Sequence, residues 1–98
     1  MIKQTPVKGS SDKVKVNFVL SRDSVAGKVS VVGDFNGWDP AVHPLRPRSN
    51  GTRSVTVTLP VSQRFAFRYL DDDGRWLDDD TAAREPNGYG GANSVIHT

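Results

Sequence analysis

The chain has no cysteine, which excludes disulfides and thiolate metal sites and removes any argument for an oxidising compartment. Histidine is scarce: His43 stands beside Pro44, and His97 is one residue from the end. Neither falls in a spacing that makes a metal pair or a Ser/His/Asp arrangement. There is no apolar run of about eighteen residues, and Met1-Ile2-Lys3-Gln4-Thr5-Pro6 lacks the apolar middle of a signal peptide. A cytoplasmic protein without membrane association is therefore expected. Helical signals are missing as well, since no window carries an apolar period of 3.6 residues with caps. Internal repeats and low-complexity tracts are absent.

What remains is a chain of 98 residues, the length of one domain. A domain of this size buries about two-thirds of its unfolded surface, enough for one core without staples. The net charge of +2 conceals an asymmetry. Residues 1–70 carry eleven of the thirteen Lys and Arg against four Asp, whereas residues 71–98 carry two Arg against six Asp and Glu85. A uniform basic field for nucleic acid is not expected from such a distribution. Charges of this kind ordinarily solvate the outward faces of strands.

Residues 1–11, rich in Lys, Ser and Gly, read as a loose leader, and residues 12–98 as the domain. From Val14 the pattern alternates, with Val14, Val16, Phe18 and Leu20 facing one way and Lys15 and Asn17 the other. Residues 28–32 read as a second strand. Pro40, Pro44 and Pro47 punctuate an irregular segment anchored by Leu45. Asn50-Gly51 is a turn signal, and the strand after it turns Val55, Val57 and Leu59 inward. Residues 64–70 place Phe65, Phe67 and Tyr69 on one face, and Ala66, Arg68 and Leu70 on the other. A polar turn leads to a short strand at Trp76-Leu77, and residues 94–97 can close the sheet after a long loop. Short strands separated by turn signals predict an all-β fold, an antiparallel β-sandwich.

Reactive constellations are thin. Asp71 to Asp73 and Asp78 to Asp80 flank Trp76, but a glycosidase needs one carboxyl with a raised pKa in an apolar pocket. Acids clustered in a short polar turn are solvated instead. Calcium would use similar oxygens, yet no Glu closes a twelve-residue loop with a central Gly, so turn chemistry is the simpler account. No metal or cofactor is expected. The glycine-rich segment Asn87-Gly88-Tyr89-Gly90-Gly91-Ala92-Asn93 precedes a strand rather than a helix, so it lacks the amide donors of a phosphate loop.

Aromatic residues carry the remaining signal. Trp38 ends the turn Gly33-Asp34-Phe35-Asn36-Gly37, Trp76 follows Asp73-Gly74-Arg75, and Tyr89 lies between glycines. A single tryptophan of this kind could equally belong to the core. Three loop-borne aromatics, accompanied by Arg68 and Asn93, favour a binding surface. An indole can cover the apolar C–H face of a sugar ring, while Arg and Asn bond its hydroxyl rim. Bases also stack on aromatics, so a single-stranded nucleic acid held through Lys13, Lys15, Arg64 and Arg68 is the weaker competitor.

At these residues the chain resembles the early-set domain at the N-terminus of isoamylase and glycogen-branching enzymes. The same domain is the glycogen-binding module of the AMP-activated protein kinase beta subunit, in carbohydrate-binding module family 48. The anchors are residues 31–40, Phe67-Arg68-Tyr69-Leu70 followed by Asp73-Gly74-Arg75-Trp76, and Tyr89-Gly90-Gly91-Ala92-Asn93-Ser94-Val95-Ile96. The resemblance implies an immunoglobulin-like antiparallel β-sandwich that binds α-1,4-linked glucans such as glycogen or maltooligosaccharides, without catalysis. It implies Trp38 and Trp76 as stacking platforms, Arg68 and Asn93 as hydroxyl ligands, and Tyr89 as a wedge in the curved glucan. The sequence departs from the kinase module in two places. Gly91 replaces a Thr, and the turn before Trp76 has one more acidic residue. The alternative is an early-set domain that has lost glucan binding and meets a protein partner, for instance by strand addition at an open edge.

Overall fold

β-branched and aromatic residues at alternate positions set the strands, because each such stretch has one apolar face to bury. The computed structural model describes residues 2–21, 27–79, 82–86 and 92–98. Among them run β1 (Ile2–Pro6), β2 (Lys13–Leu20), β3 (Val29–Gly33), β4 (Arg46–Pro47), β5 (Arg53–Pro60), β6 (Arg64–Asp71), β7 (Trp76–Leu77), β8 (Ala83–Pro86) and β9 (Ala92–His97). They form two antiparallel sheets. One has the order β1-β2-β5-β4; the other is β3-β6-β9-β8, with β7 added to β6. This is the expected immunoglobulin-like, early-set sandwich. The described residues include no helix long and apolar enough to cross a membrane.

The core lies between the sheets. Val14, Val16, Phe18 and Leu20 of β2 meet Val29 and Val31 of β3, Phe67 and Tyr69 of β6, and Ile96 of β9. Phe18 is its centre, with the Phe67 ring edge-on at 5.1 Å and the Phe35 ring stacked at 5.7 Å. Complete burial of one such side chain contributes about 1.5–3 kcal/mol. Leu45 is buried, as the proline-rich segment required.

Three strands differ from the sequence reading. Residues 1–11 are not a loose leader throughout, since β1 pairs with β2 from Ile2↔Phe18 to Pro6↔Val14. The Gln4 side chain also donates to the His97 carbonyl at 2.9 Å. An edge strand is held by its ladder and needs little apolar surface; here only Ile2 packs on the core. β4 lies in the proline-rich segment and β8 in what read as loop, both polar and both at sheet edges.

For function, the outward face of the β3-β6-β9-β8 sheet matters most. Phe67 and Tyr69 point inward, so by alternation Ala66, Arg68 and Leu70 point outward. Residues directly opposite in register share a face. Val32 opposite Arg68, Ser30 opposite Leu70, Trp76 opposite Leu70 and Val95 opposite Ala66 therefore join them.

Candidate functional site

The loop carrying Trp38 begins where β3 meets β6. A Cβ on Gly33 would lie 2.5 Å from the Ala66 carbonyl oxygen, so only glycine permits this approach. Asp34 follows and works with both oxygens. Oδ2 accepts from the Ala66 amide at 2.9 Å, and Oδ1 accepts from the Trp38 indole N–H at 3.3 Å. Asn36 organises the turn. Its Oδ1 accepts from the Gly33 and Trp38 amides, while Nδ2 donates to the Val31 carbonyl at 3.0 Å and bonds His43 Nδ1 at 2.9 Å. Gly37 and Trp38 both adopt positive φ, of 67° and 60°. For a tryptophan this costs about 1–2 kcal/mol, which the Asn36 and Asp34 bonds offset. Trp38 ends half-buried.

The Asn36 geometry fixes the state of His43. With Oδ1 committed to two amides, Nδ2 must donate, so Nδ1 of the imidazole accepts and carries no proton. Burial acts in the same direction and lowers the His43 pKa below its ordinary value.

Trp76 is presented differently. Asp71 closes the turn by accepting from the Asp73 and Arg75 amides at 3.0 and 2.8 Å, and Gly74 supplies the positive φ. The chain returns as β7, with Leu77 packed toward the core and Trp76 outward and 49% exposed. The Arg68 guanidinium lies over the indole, 5.2 Å from the ring centroid, and its Nε donates to Asp78 Oδ1 at 3.0 Å. Behind the sheet, Asp79 is buried and accepts from the Tyr69 hydroxyl at 3.0 Å. Asp78 and Asp79 thus grip adjacent β6 residues from opposite faces.

The structure brings Arg68 and Trp76 into contact. Asn93 precedes Ser94, whose register partner is Phe67, and so faces outward beside the Arg68 row. Trp38 is tethered at the Ala66 end of this face and Trp76 stands opposite Leu70, with Arg68 between them in register. The two anchor points are roughly 14 Å apart along β6 at the usual strand rise. Tyr89 lies outside the described residues. Nothing in the sequence marks Asp34, Asn36 and Asp78 as site-building residues, because turns and solvated strand ends use the same residue types.

Two other readings meet the geometry here. The carboxylates of Asp71, Asp72 and Asp73 gather within 4.8 Å at the surface, but Asp71 is the acceptor that closes the turn. The cations named for a nucleic-acid track do not share a face. Lys13 and Lys15 lie on the outer side of β2, whereas Arg64 pairs with Glu85 and Arg68 with Asp78 on the other sheet.

The fold and this face define an early-set β-sandwich with a tryptophan-bearing outer surface. The family model of carbohydrate-binding module 48, the isoamylase N-terminal domain, matches residues 10–82. The chain belongs to that family. The matched span holds Trp38, Arg68 and Trp76, while Tyr89 and Asn93 lie beyond it. Similar proteins are 1,4-alpha-glucan branching enzymes. The one from Cupriavidus pinatubonensis is 70% identical over 48 residues, covering 48% of this chain and 6% of the enzyme. The Rhodopirellula baltica enzyme is 41% identical over 71 residues, 68% of this chain and 9% of the enzyme. That of Xanthomonas campestris pv. campestris is 42% identical over 53 residues, 53% of this chain and 7% of the enzyme. The chain therefore spans less than a tenth of these relatives.

Proposed function

We propose that this domain is a non-catalytic α-glucan-binding module that takes glycogen-type α-1,4-linked chains on the outer face of the β3-β6-β9-β8 sheet. One observation carries the reading: a half-exposed Trp76 ring held under a guanidinium that is itself fixed by Asp78. Arg68 commits Nε to Asp78, and its terminal amino groups make no hydrogen bond to any described residue. We assign them, together with the Asn93 amide, to sugar hydroxyls. Trp38 supplies the second ring, and we assign Tyr89 the wedge. Family membership and the branching-enzyme relatives support the polymer class.

Affinity rests on a shallow platform that must desolvate hydroxyls, so single-site binding is modest and polymer retention relies on multivalency. The setting we assign is cytoplasmic. Strand addition at β1 is the less favoured alternative, because that edge is short, carries Lys3 and ends at Pro6.

The test is retention on immobilised glycogen together with titration of tryptophan emission by maltoheptaose and β-cyclodextrin at two salt concentrations. Saturable, salt-insensitive binding that Trp76→Ala abolishes without unfolding is the expected result. Unchanged retention of Trp76→Ala would remove the site. Steep salt dependence would instead point to a polyanion.

A further inference from the structure

We infer that the ligand track does not end on Trp76. It continues into the adjoining groove, which makes the site selective for longer linear α-glucans; the inference rests on the glucan-binding reading above.

The groove is an open depression of about 580 Å³. Its floor is Ser30 and Leu70, one wall is Pro40 and Pro44, and Lys28 and Asp72 stand at its rim. Continuity with the tryptophan platform follows from register. Leu70 is opposite Trp76 on one side and opposite Ser30 on the other, so a single row runs from the indole across Leu70 into the groove.

Both walls are fixed in advance. Segment 43–45 is stitched along the open side of β3. The Val31 amide donates to the His43 carbonyl, the Leu45 amide to the Val29 carbonyl, and Pro44 bridges Ser30. On the opposite wall the Asp72 amide donates to the Lys28 carbonyl at 3.1 Å. A preformed groove costs a ligand little ordering free energy.

The chemistry of the lining selects the occupant. Leu70, Pro40 and Pro44 offer apolar surface to the C–H faces of a pyranose. The rim provides a donor, Lys28, and an acceptor, Asp72, for a neutral polyol. An anion would meet Asp71 and Asp72, and a simple cation, although drawn to those carboxylates, would leave the apolar surface of Leu70, Pro40 and Pro44 uncovered. A neutral chain already seated on Trp76 meets neither penalty and reaches the groove without a second binding event. The occupant is therefore the next glucose residues of the same glucan.

Ala41 is exposed on the groove wall and its only side-chain atom is Cβ, so Ala41→Trp fills the groove without touching the core. Leu70→Ser, which removes the apolar floor, is the second variant, and far-UV circular dichroism verifies folding of both. Calorimetric affinities would be measured for maltotriose, maltopentaose, maltoheptaose and maltodecaose. The wild type should bind the longer chains progressively more tightly. Ala41→Trp should keep maltotriose affinity and lose about fivefold or more on the longest chain. An Ala41→Trp protein with undiminished gain from length, or a wild type indifferent to length, overturns the groove while leaving the platform intact. A wild type that binds no maltooligosaccharide removes both readings, and Trp76→Ala distinguishes them by weakening short and long chains alike.

Discussion

Replacing Asn36 by alanine tests whether one side chain organises the Trp38 loop. Four hydrogen bonds end on its amide. The Trp38 amide keeps a second acceptor, the Gly33 carbonyl at 3.1 Å, so three bonds are lost without replacement. Partly buried bonds of this kind contribute about 1 kcal/mol each, which puts Asn36→Ala at about 2–3 kcal/mol. For a domain of this size that corresponds to a fall in Tm of roughly 10–20 °C. Thermal unfolding followed by far-UV circular dichroism measures the loss, and Trp38 emission should shift to the red as the loop opens. Asn36→Asp separates the amide's two roles. It keeps the oxygen that accepts from Gly33 and Trp38, but sets a second oxygen against the Val31 carbonyl and the unprotonated His43 Nδ1. That variant should be weakest at alkaline pH and recover stability as His43 protonates and donates to the new carboxylate. An Asn36→Ala protein within about 0.5 kcal/mol of wild type, with unchanged emission, would refute the assignment.

Two further outcomes follow from the same geometry. In the wild type, burial holds the His43 pKa below 6.5, so the unfolded chain takes up the proton at higher pH than the folded one. Stability is then complete above about pH 6.5 and declines as pH falls below it. The Tm measured between pH 7.5 and 5 should drop in wild type and flatten in His43→Gln; an unchanged pH slope in that variant would contradict the network. Asp78→Asn should cost only about 0.5–1 kcal/mol of stability, because both partners are partly solvated. It should nonetheless weaken maltoheptaose binding about threefold or more by releasing the guanidinium from Trp76, and calorimetry checks both.

Where burial enforces a period of two, the sequence was informative. β2, β5 and β6 could be read from Val14-Lys15-Val16, Val55-Thr56-Val57 and Phe65-Ala66-Phe67, because each must turn one side to the core. β1, β4 and β8 escaped, since an edge strand is stabilised by backbone bonds that any residue can make. The site divides in the same way. Trp38 and Trp76 stand out as candidates because few roles other than core or contact suit an aromatic beside Gly turns, and Arg68 because it alternates with the apolar face of its strand. Asn36, Asp34 and Asp78 were not visible as builders, because turn formation and solvation employ the same residues in the same composition. Their roles depend on partners brought near by the fold, such as the Ala66 amide for Asp34 and Arg68 for Asp78, which lie 32 and 10 residues away.

The two tryptophans are held by different physics. Trp38 is fixed through polar bonds, its indole N–H on Asp34 and its strained backbone on Asn36. That loop can be loosened by acid through His43. Trp76 is fixed from its ring face by Arg68, and through the chain beyond it by Asp78 on one side of β6 and the buried Asp79 on the other. His43 bonds Asn36 and so belongs to the network of the Trp38 loop. Its protonation should therefore loosen that platform directly. A ligand bridging both would lose the contribution of its Trp38 end first and remain seated between Trp76 and the groove, so the two ends of the face are energetically separable although one strand, β6, underlies both.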